Sequence, residues 1–163
     1  MPEKDVEEIK DEIYSSFSNT ASSIGYDEIH GRIIAALIMD GEEMSLQELS
    51  KETGYSSSSI SLSLDLLEVL GIIEKVKKKG DRKLYVRMEG DILQGLKQAI
   101  VIQLQKTIAS TVESLDVREE KLVSMSSKES DNVLKGLRTL NKEMGRLEKY
   151  VDKLSQVEIP ERD

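Results

Sequence analysis

The stretch that most constrains the fold is SLQELSKETGYSSSSISLSLDLLEVLGII, which covers residues 45–73. It begins with Ser45 and Glu48 at the spacing of a capping box, which predicts the start of a short helix. Gly54 ends that helix and permits a tight turn, because a side chain would be costly there. Apolar residues then recur at helical intervals, so two helices are predicted to pack as a helix-turn-helix. The inward-facing residues are Leu46 and Leu49 in the first helix and Ile60, Leu64 and Leu67 in the second.

A hairpin is predicted directly after the second helix. We expect that helix to be capped by Ser56 or Ser57 and to end at Gly71. Two short apolar runs follow, separated by the turn dipeptide Gly80-Asp81, which is typical of a β-hairpin. The hairpin spans residues 72–88, and its strand-forming residues are Ile72, Ile73, Val76, Leu84, Val86 and Met88.

The charge of the chain is unevenly distributed. The formal net charge is −8, and residues 1–30 carry eight acidic side chains against two basic ones. Residues 74–87, in contrast, carry seven basic side chains against two acidic ones. A basic island in an acidic protein indicates a local electrostatic role, although a charge run can also be only a solvated surface.

Helices are predicted on both sides of this region. Helical spacing of apolar residues predicts helices over residues 4–24, 27–39 and 91–115, with a break at 124–130. A last helix over residues 131–157 has apolar residues in alternating steps of four and three, the pattern of a coiled-coil seam. The seam serves either packing within the chain or dimerisation, and we favour dimerisation. Its residues are Val133, Leu137, Leu140, Met144, Leu147, Val151 and Leu154.

Together these patterns predict a mainly α fold with a small β-hairpin. The expected organisation is an N-terminal helix for dimerisation or packing, a winged helix-turn-helix domain, a dimerisation region of long helices, and a frayed tail. The corresponding ranges are 1–25, 26–90, 91–157 and 158–163.

The sequence MSLQELSKETGYSSSSISLSLDLLEVLGIIEKVKKKGDRKLYV resembles the MarR-like winged-helix transcription regulators. It is most similar to their GbsR-type branch and its small archaeal relatives. The resemblance implies a homodimer that binds double-stranded DNA at a pseudo-palindromic operator, usually as a repressor. It also implies that the second helix, residues 57–70, enters the major groove, while the wing, residues 77–83, contacts the backbone or the minor groove. The sequence departs from many family members because residues 56–70 contain no Lys or Arg, which argues against base readout by arginine.

The candidate DNA-binding residues lie in both helices and in the wing. Serines at the start of the second helix suit a phosphate, since free N–H groups and the positive end of the helix dipole are found there. Outward-facing serines also suit base edges, and Arg82 at the wing tip suits the minor groove. Alternatively, one serine only caps the helix and the others are neutral surface. The full set is Gln47, Ser56, Ser57, Ser58, Ser61, Lys77, Lys78, Lys79, Arg82 and Lys83.

Composition excludes several other functions. The chain has no cysteine and one histidine, which excludes disulfides, cysteine zinc sites and multi-histidine metal centres. It also lacks the usual nucleotide-binding and nucleophile motifs, so we expect no enzyme and no cofactor. A single histidine such as His30 more often has a structural role than an effector-binding one. The sequence identifies no small-molecule effector.

No long apolar run occurs and the N-terminus is acidic, so we expect a cytoplasmic protein with no membrane contact. A different hypothesis is that the winged helix is a protein-docking or assembly module that does not bind DNA.

Overall fold

The computed structural model describes residues 2–41 and 43–162, and the chain divides into two compact units, Met1–Leu96 and Lys97–Asp163. The prediction of a mainly α fold with a small antiparallel sheet is confirmed. Among the helices of residues 2–41 and 43–162, none combines the length and the apolar character that spanning a membrane requires. The first unit contains α1 (Pro2–Ser23), α2 (Glu28–Asp40), β1 (Met44–Ser45), α3 (Leu46–Thr53), α4 (Ser57–Val69), β2 (Ile73–Lys77) and β3 (Leu84–Met88). Helix α5 (Ile92–Met125) begins in the first unit and ends in the second, which also contains α6 (Lys128–Gln156).

The helix-turn-helix forms where the sequence predicted it, because its end signals are local. The Ser45 hydroxyl accepts a hydrogen bond from the Glu48 backbone N–H at 3.3 Å, and the Glu48 carboxylate accepts one from the Ser45 N–H at 2.7 Å. The Ser45 hydroxyl, followed by the Ser45 backbone N–H, holds the pKa of the Glu48 carboxylate below its usual value. Gly54 follows with a positive φ of +77°, which ends α3 in a left-handed turn. The inward residues Leu49, Ile60, Leu64 and Leu67 are fully buried, and Leu46 is half-buried.

The sheet has three strands, one more than the sequence predicted. Its order is β1-β3-β2, and all neighbours are antiparallel. Strand β1 consists of two residues, Met44 and Ser45, which pair with Val86 and Tyr85 of β3. Two residues are too few to show the alternation that identifies a strand, so only the distant partner defines β1.

Helices α1 and α2 pack at very close range. Gly31 lies against the backbone of α1, where a Cβ would overlap the Phe17 carbonyl group. Tyr14 of α1 is 2% exposed, and its hydroxyl donates a 2.6 Å hydrogen bond to the Glu52 carboxylate of α3. Lys10 also forms an ion pair with Glu52. This cluster joins the N-terminal helix to the helix-turn-helix.

The Tyr14–Glu52 bond predicts a pH-dependent loss of stability on Tyr14→Phe. A hydrogen bond to a charged group contributes about 1.5–3 kcal/mol, so we expect a loss of that order at pH 7. Lys10, followed by Tyr14, lowers the pKa of Glu52, so this contribution is present above the unfolded pKa of Glu and is lost as pH falls through the folded pKa. The difference between variant and wild type in urea unfolding should therefore shrink toward pH 3.

The matched control is Tyr150→Phe, because the Tyr150 ring is exposed and has no hydrogen bond among the described residues. It should change stability by less than about 0.5 kcal/mol. An equal effect of the two substitutions would show that the Tyr14 hydroxyl does not matter.

The break between the last two helices is much shorter than predicted. The sequence predicted a helix over residues 91–115 and a break at 124–130, but α5 continues to Met125. Polar residues there pair with α6: Glu119 binds Arg138 at 2.7 Å, and Asp116 accepts from Asn141 at 2.9 Å. Because these partners are distant in sequence, the weak apolar periodicity of this segment did not predict where the helix ends.

The second unit is an antiparallel pair of helices with a narrow core. Val101, Ile108 and Val151 are buried together, with Leu104 and Val112 packed against them. Helix α6 begins at Lys128, three residues before the predicted start, behind a capping box formed by Ser127 and Ser130.

The predicted seam of α6 divides into two rows. Leu137 and Val151 are buried and Met144 is half-buried, so this row packs within the chain. The other row is exposed: Val133 at 54%, Leu140 at 55% and Leu147 at 37%, while Leu154 at its end is half-buried. We call Val133, Leu140 and Leu147 the outer row.

Candidate nucleic-acid interface

The start of α4 is a cluster of serines with distinct roles. Ser56 is the N-cap, and its hydroxyl accepts a 3.2 Å hydrogen bond from the Ser59 N–H. The Ser56 hydroxyl is also within 3.2 Å of the Ser58 hydroxyl and 2.9 Å of the Ser59 hydroxyl. Ser57 and Ser58 are exposed, whereas Ser61 is half-buried and so less available than the sequence suggested. The capping role therefore accounts for Ser56. The Ser58 hydroxyl is exposed but contacts Ser56, and Ser57 is exposed at the first position of α4.

The exposed face of α4 also includes residues that the sequence analysis missed. Leu62 is 75% exposed and Val69 is 72% exposed, and Asp65 lies between them on the same face. Leu62 is out of phase with the buried set Ile60 and Leu64, and this phase was the available signal. The face therefore combines serines, one protruding leucine and one carboxylate.

The wing loop comprises residues 78–83, which join β2 to β3. Gly80 has a positive φ of +83° and occupies the third position of a turn closed by Asp81 N–H to Lys78 carbonyl at 3.1 Å. The Asp81 carboxylate accepts bonds from the Lys83 N–H and the Tyr85 hydroxyl, each at 2.9 Å. These two bonds hold the pKa of Asp81 below its usual value. The connection is longer than the two-residue turn that Gly80-Asp81 suggested, and internal bonds define its shape.

Three cations of the basic island are already paired. Lys75 binds Asp65 and Glu68 of α4, and Arg87 binds Glu74 across the hairpin at 2.6 Å. Lys78 forms an ion pair with Glu43 and lies 4.0 Å from the centre of the Tyr85 ring. The Glu43 contact raises the pKa of Lys78. The candidate phosphate ligand Lys78 therefore has a carboxylate partner, unlike its neighbours.

Four cations remain available for a ligand. They are exposed and form no ion pair with any residue in the described ranges. Gln47, the candidate on α3, is exposed as well. The unpaired cations are Lys77, Lys79, Arg82 and Lys83, and we call them the free wing cations.

No effector or metal site is assigned. An open groove of about 600 Å³ lies between the α1–α2 connection and α4, bordered by Tyr26, Tyr55 and Leu62. The His30 and Tyr26 rings meet edge-on, with 6.1 Å between their centres, and His30 Nδ1 lies 3.1 Å from the Asp27 carbonyl oxygen. These contacts indicate a structural role for His30. Within residues 2–41 and 43–162, no group of three or more His, Asp or Glu side chains is placed to hold a metal ion.

Comparison with known proteins supports the architecture. A solved structure described as a transcriptional regulator superposes with a TM-score of 0.60 at 23% identity, covering 90% of this chain and 96% of that one. The chain has the winged helix-turn-helix fold. A structure of NadR in complex with 4-hydroxyphenylacetate matches at a TM-score of 0.42 and 19% identity, over 85% of this chain and 90% of that one.

In sequence, the chain is 26% identical over 141 residues to the putative HTH-type transcriptional regulator YvaV of Bacillus subtilis (strain 168). That alignment covers 82% of this chain and 80% of the relative. No protein-family model matches the chain.

Proposed function

We propose that this protein is a DNA-binding transcription regulator that acts as a homodimer. The observation that carries the proposal is the set of free wing cations, which lies in the same winged-helix unit as the exposed serine end of α4. Phosphate contacts supply most of the affinity of such proteins, and both features suit phosphate. The similarity to a relative named as a transcription regulator supports this proposal.

In the proposed complex, residues 57–70 lie in the major groove and the wing contacts the backbone or the minor groove. Arg82 is the side chain proposed for the minor groove, and the lysines of the free wing cations contact phosphates. The rest of the protein is strongly acidic and repels DNA elsewhere, which limits non-specific binding. Binding should accordingly depend steeply on salt.

The proposed dimer is formed by the outer row of α6. Val133, Leu140 and Leu147 repeat every seven residues on a helix that is otherwise largely charged. An exposed apolar row with a seven-residue repeat is typical of a coiled-coil interface. A second copy of the same helix would supply the matching row. A two-fold dimer would place two wings on a pseudo-palindromic operator.

A finer assignment follows from the residues between Met44 and Val86. We propose that the chain belongs to the GbsR-type branch of the MarR-like regulators, together with its small archaeal relatives. Such a protein would act in the cytoplasm as a repressor. It would need no cofactor and would not act as an enzyme.

A second candidate function is protein docking without DNA binding. It is favoured by α4, which has no Lys or Arg and exposes two large apolar side chains. DNA binding predicts that a site is enriched from a pool of DNA duplexes, whereas docking predicts no enrichment.

The test is selection of a binding site from a randomised duplex pool, followed by anisotropy titration in a salt series. We expect a two-fold symmetric site to be enriched. Lys79→Ala combined with Arg82→Ala should weaken binding by about a hundredfold or more and reduce the salt slope by about 4, because each of the two protomers loses two cations. The matched control combines Lys135→Ala with Lys142→Ala, two exposed lysines of α6, and should leave the slope unchanged.

Equal losses in the two double variants would mean that net charge, rather than the wing, governs binding. No enrichment at low salt, from a protein shown to be folded and dimeric, would contradict DNA binding and favour the docking function.

A further inference from the structure

Leu62 exposes most of its apolar side chain on α4, at the edge of the groove bordered by Tyr26 and Tyr55. Among the large apolar side chains of the described residues, it has the greatest exposed fraction, 75%. It is the sixth residue of α4 and lies one turn after Ser58, on the same face. The N-terminal part of a recognition helix is the part that contacts base edges. Leu62 is therefore exposed in the part of α4 that the proposed function places against DNA.

We propose that Leu62 determines specificity by packing against the C5-methyl group of a thymine in the major groove. This inference rests on the proposed function. A leucine side chain forms no hydrogen bonds, and the thymine methyl is the apolar group that the major groove presents. The neighbouring Ser57 and Ser58 accept many partners, so the leucine gives the helix a preference that its serines do not supply.

The surroundings of Leu62 favour a single small apolar contact over a protein-docking patch. The next residue on the exposed face is Asp65, whose carboxylate binds Lys75, and Glu68 binds the same lysine. The half-buried Leu66 lies between Leu62 and Val69, and these charged side chains flank it, so the exposed apolar strip is narrow. Pairing with Lys75 also reduces the repulsion that Asp65 and Glu68 would exert on phosphates.

The absence of Lys and Arg from α4 predicts which base pairs the helix favours. The face contains Ser58, Leu62 and Asp65, and no long cation is available for guanine. Because Arg and Lys are the usual partners of guanine, a helix with this face should favour A·T pairs. The selected site is therefore expected to contain at least one thymine per half-site opposite Leu62.

The experiment removes only the methyl group. Each thymine of the selected duplex is replaced in turn by deoxyuridine, symmetrically in both half-sites, and binding is measured by anisotropy for wild type, Leu62→Ala and Val69→Ala. Since burial of one methyl group changes affinity about threefold to fivefold, one symmetric replacement should weaken wild-type binding by about tenfold. Leu62→Ala should lose this sensitivity, and Val69→Ala should keep it.

Other results would overturn the inference. A duplex that binds tightly while every deoxyuridine replacement is neutral would show that no thymine methyl is read. Sensitivity that persists in Leu62→Ala would assign the contact to another residue. Failure of the proposed function itself would look different, because no duplex would be enriched or bound by wild type, and the inference would fall with it.

Discussion

Gly31→Ala is expected to destabilise the first unit by more than about 3 kcal/mol, a large fraction of the stability of a small domain. A Cβ at Gly31 would overlap the Phe17 carbonyl group and lie 2.8 Å from the Ser18 backbone nitrogen. These atoms belong to the backbone of α1, so movement of a side chain cannot relieve the overlap. The two helices would have to separate, which would expose buried Ile33 and Leu37 of α2 and Tyr14 of α1.

The measurement is urea unfolding followed by circular dichroism, with Gly136→Ala as the matched control. Gly136 lies inside α6, and apart from its chain neighbours and the adjacent helix backbone no described atom would come within 4 Å of its Cβ. Because glycine is unfavourable in a helix interior, the control should be stabilised by about 0.5–1 kcal/mol. A loss below about 1 kcal/mol for Gly31→Ala would contradict the close approach of α1 and α2.

The second large effect is expected from Leu140→Lys combined with Leu147→Lys. If the outer row of α6 forms the dimer interface, the double variant replaces four buried leucines, two from each protomer. Each buried leucine contributes about 1.5–3 kcal/mol, so the dimer should dissociate more than a thousandfold more readily. Sedimentation velocity at micromolar concentration should then show a monomer, with the helical content unchanged.

The control for added charge is Thr139→Lys combined with Ser155→Lys, two exposed positions on the same helix. It introduces the same number of lysines and should remain dimeric. A wild-type protein that sediments as a monomer would contradict the dimer, and a dimeric double variant would place the interface elsewhere.

The fold was predictable where its signals are local. The capping box of Ser45 and Glu48 and the left-handed turn at Gly54 defined α3 to the residue. The errors have a common cause, which is dependence on distant partners. Strand β1 is defined by its pairing with β3, and the polar residues Asp116 and Glu119 in the later part of α5 have their partners on α6.

The candidate interface shows the same distinction. The sequence identified the basic island, but it did not show which of its cations are neutralised. Lys78 is paired because Glu43, which precedes β1, lies within reach, and Lys75 is paired because α4 presents Asp65. Leu62 was detectable from its phase relative to Ile60 and Leu64, yet an apolar residue on a mostly apolar helix is readily counted as core.

The bonds that Asp81 makes with Lys83 and Tyr85 have a consequence for the energetics of binding. A loop whose shape is defined before the ligand arrives loses little conformational entropy when the complex forms. Its cations can then meet the DNA as a preorganised group, and the benefit should appear as a longer lifetime of the complex rather than as faster association.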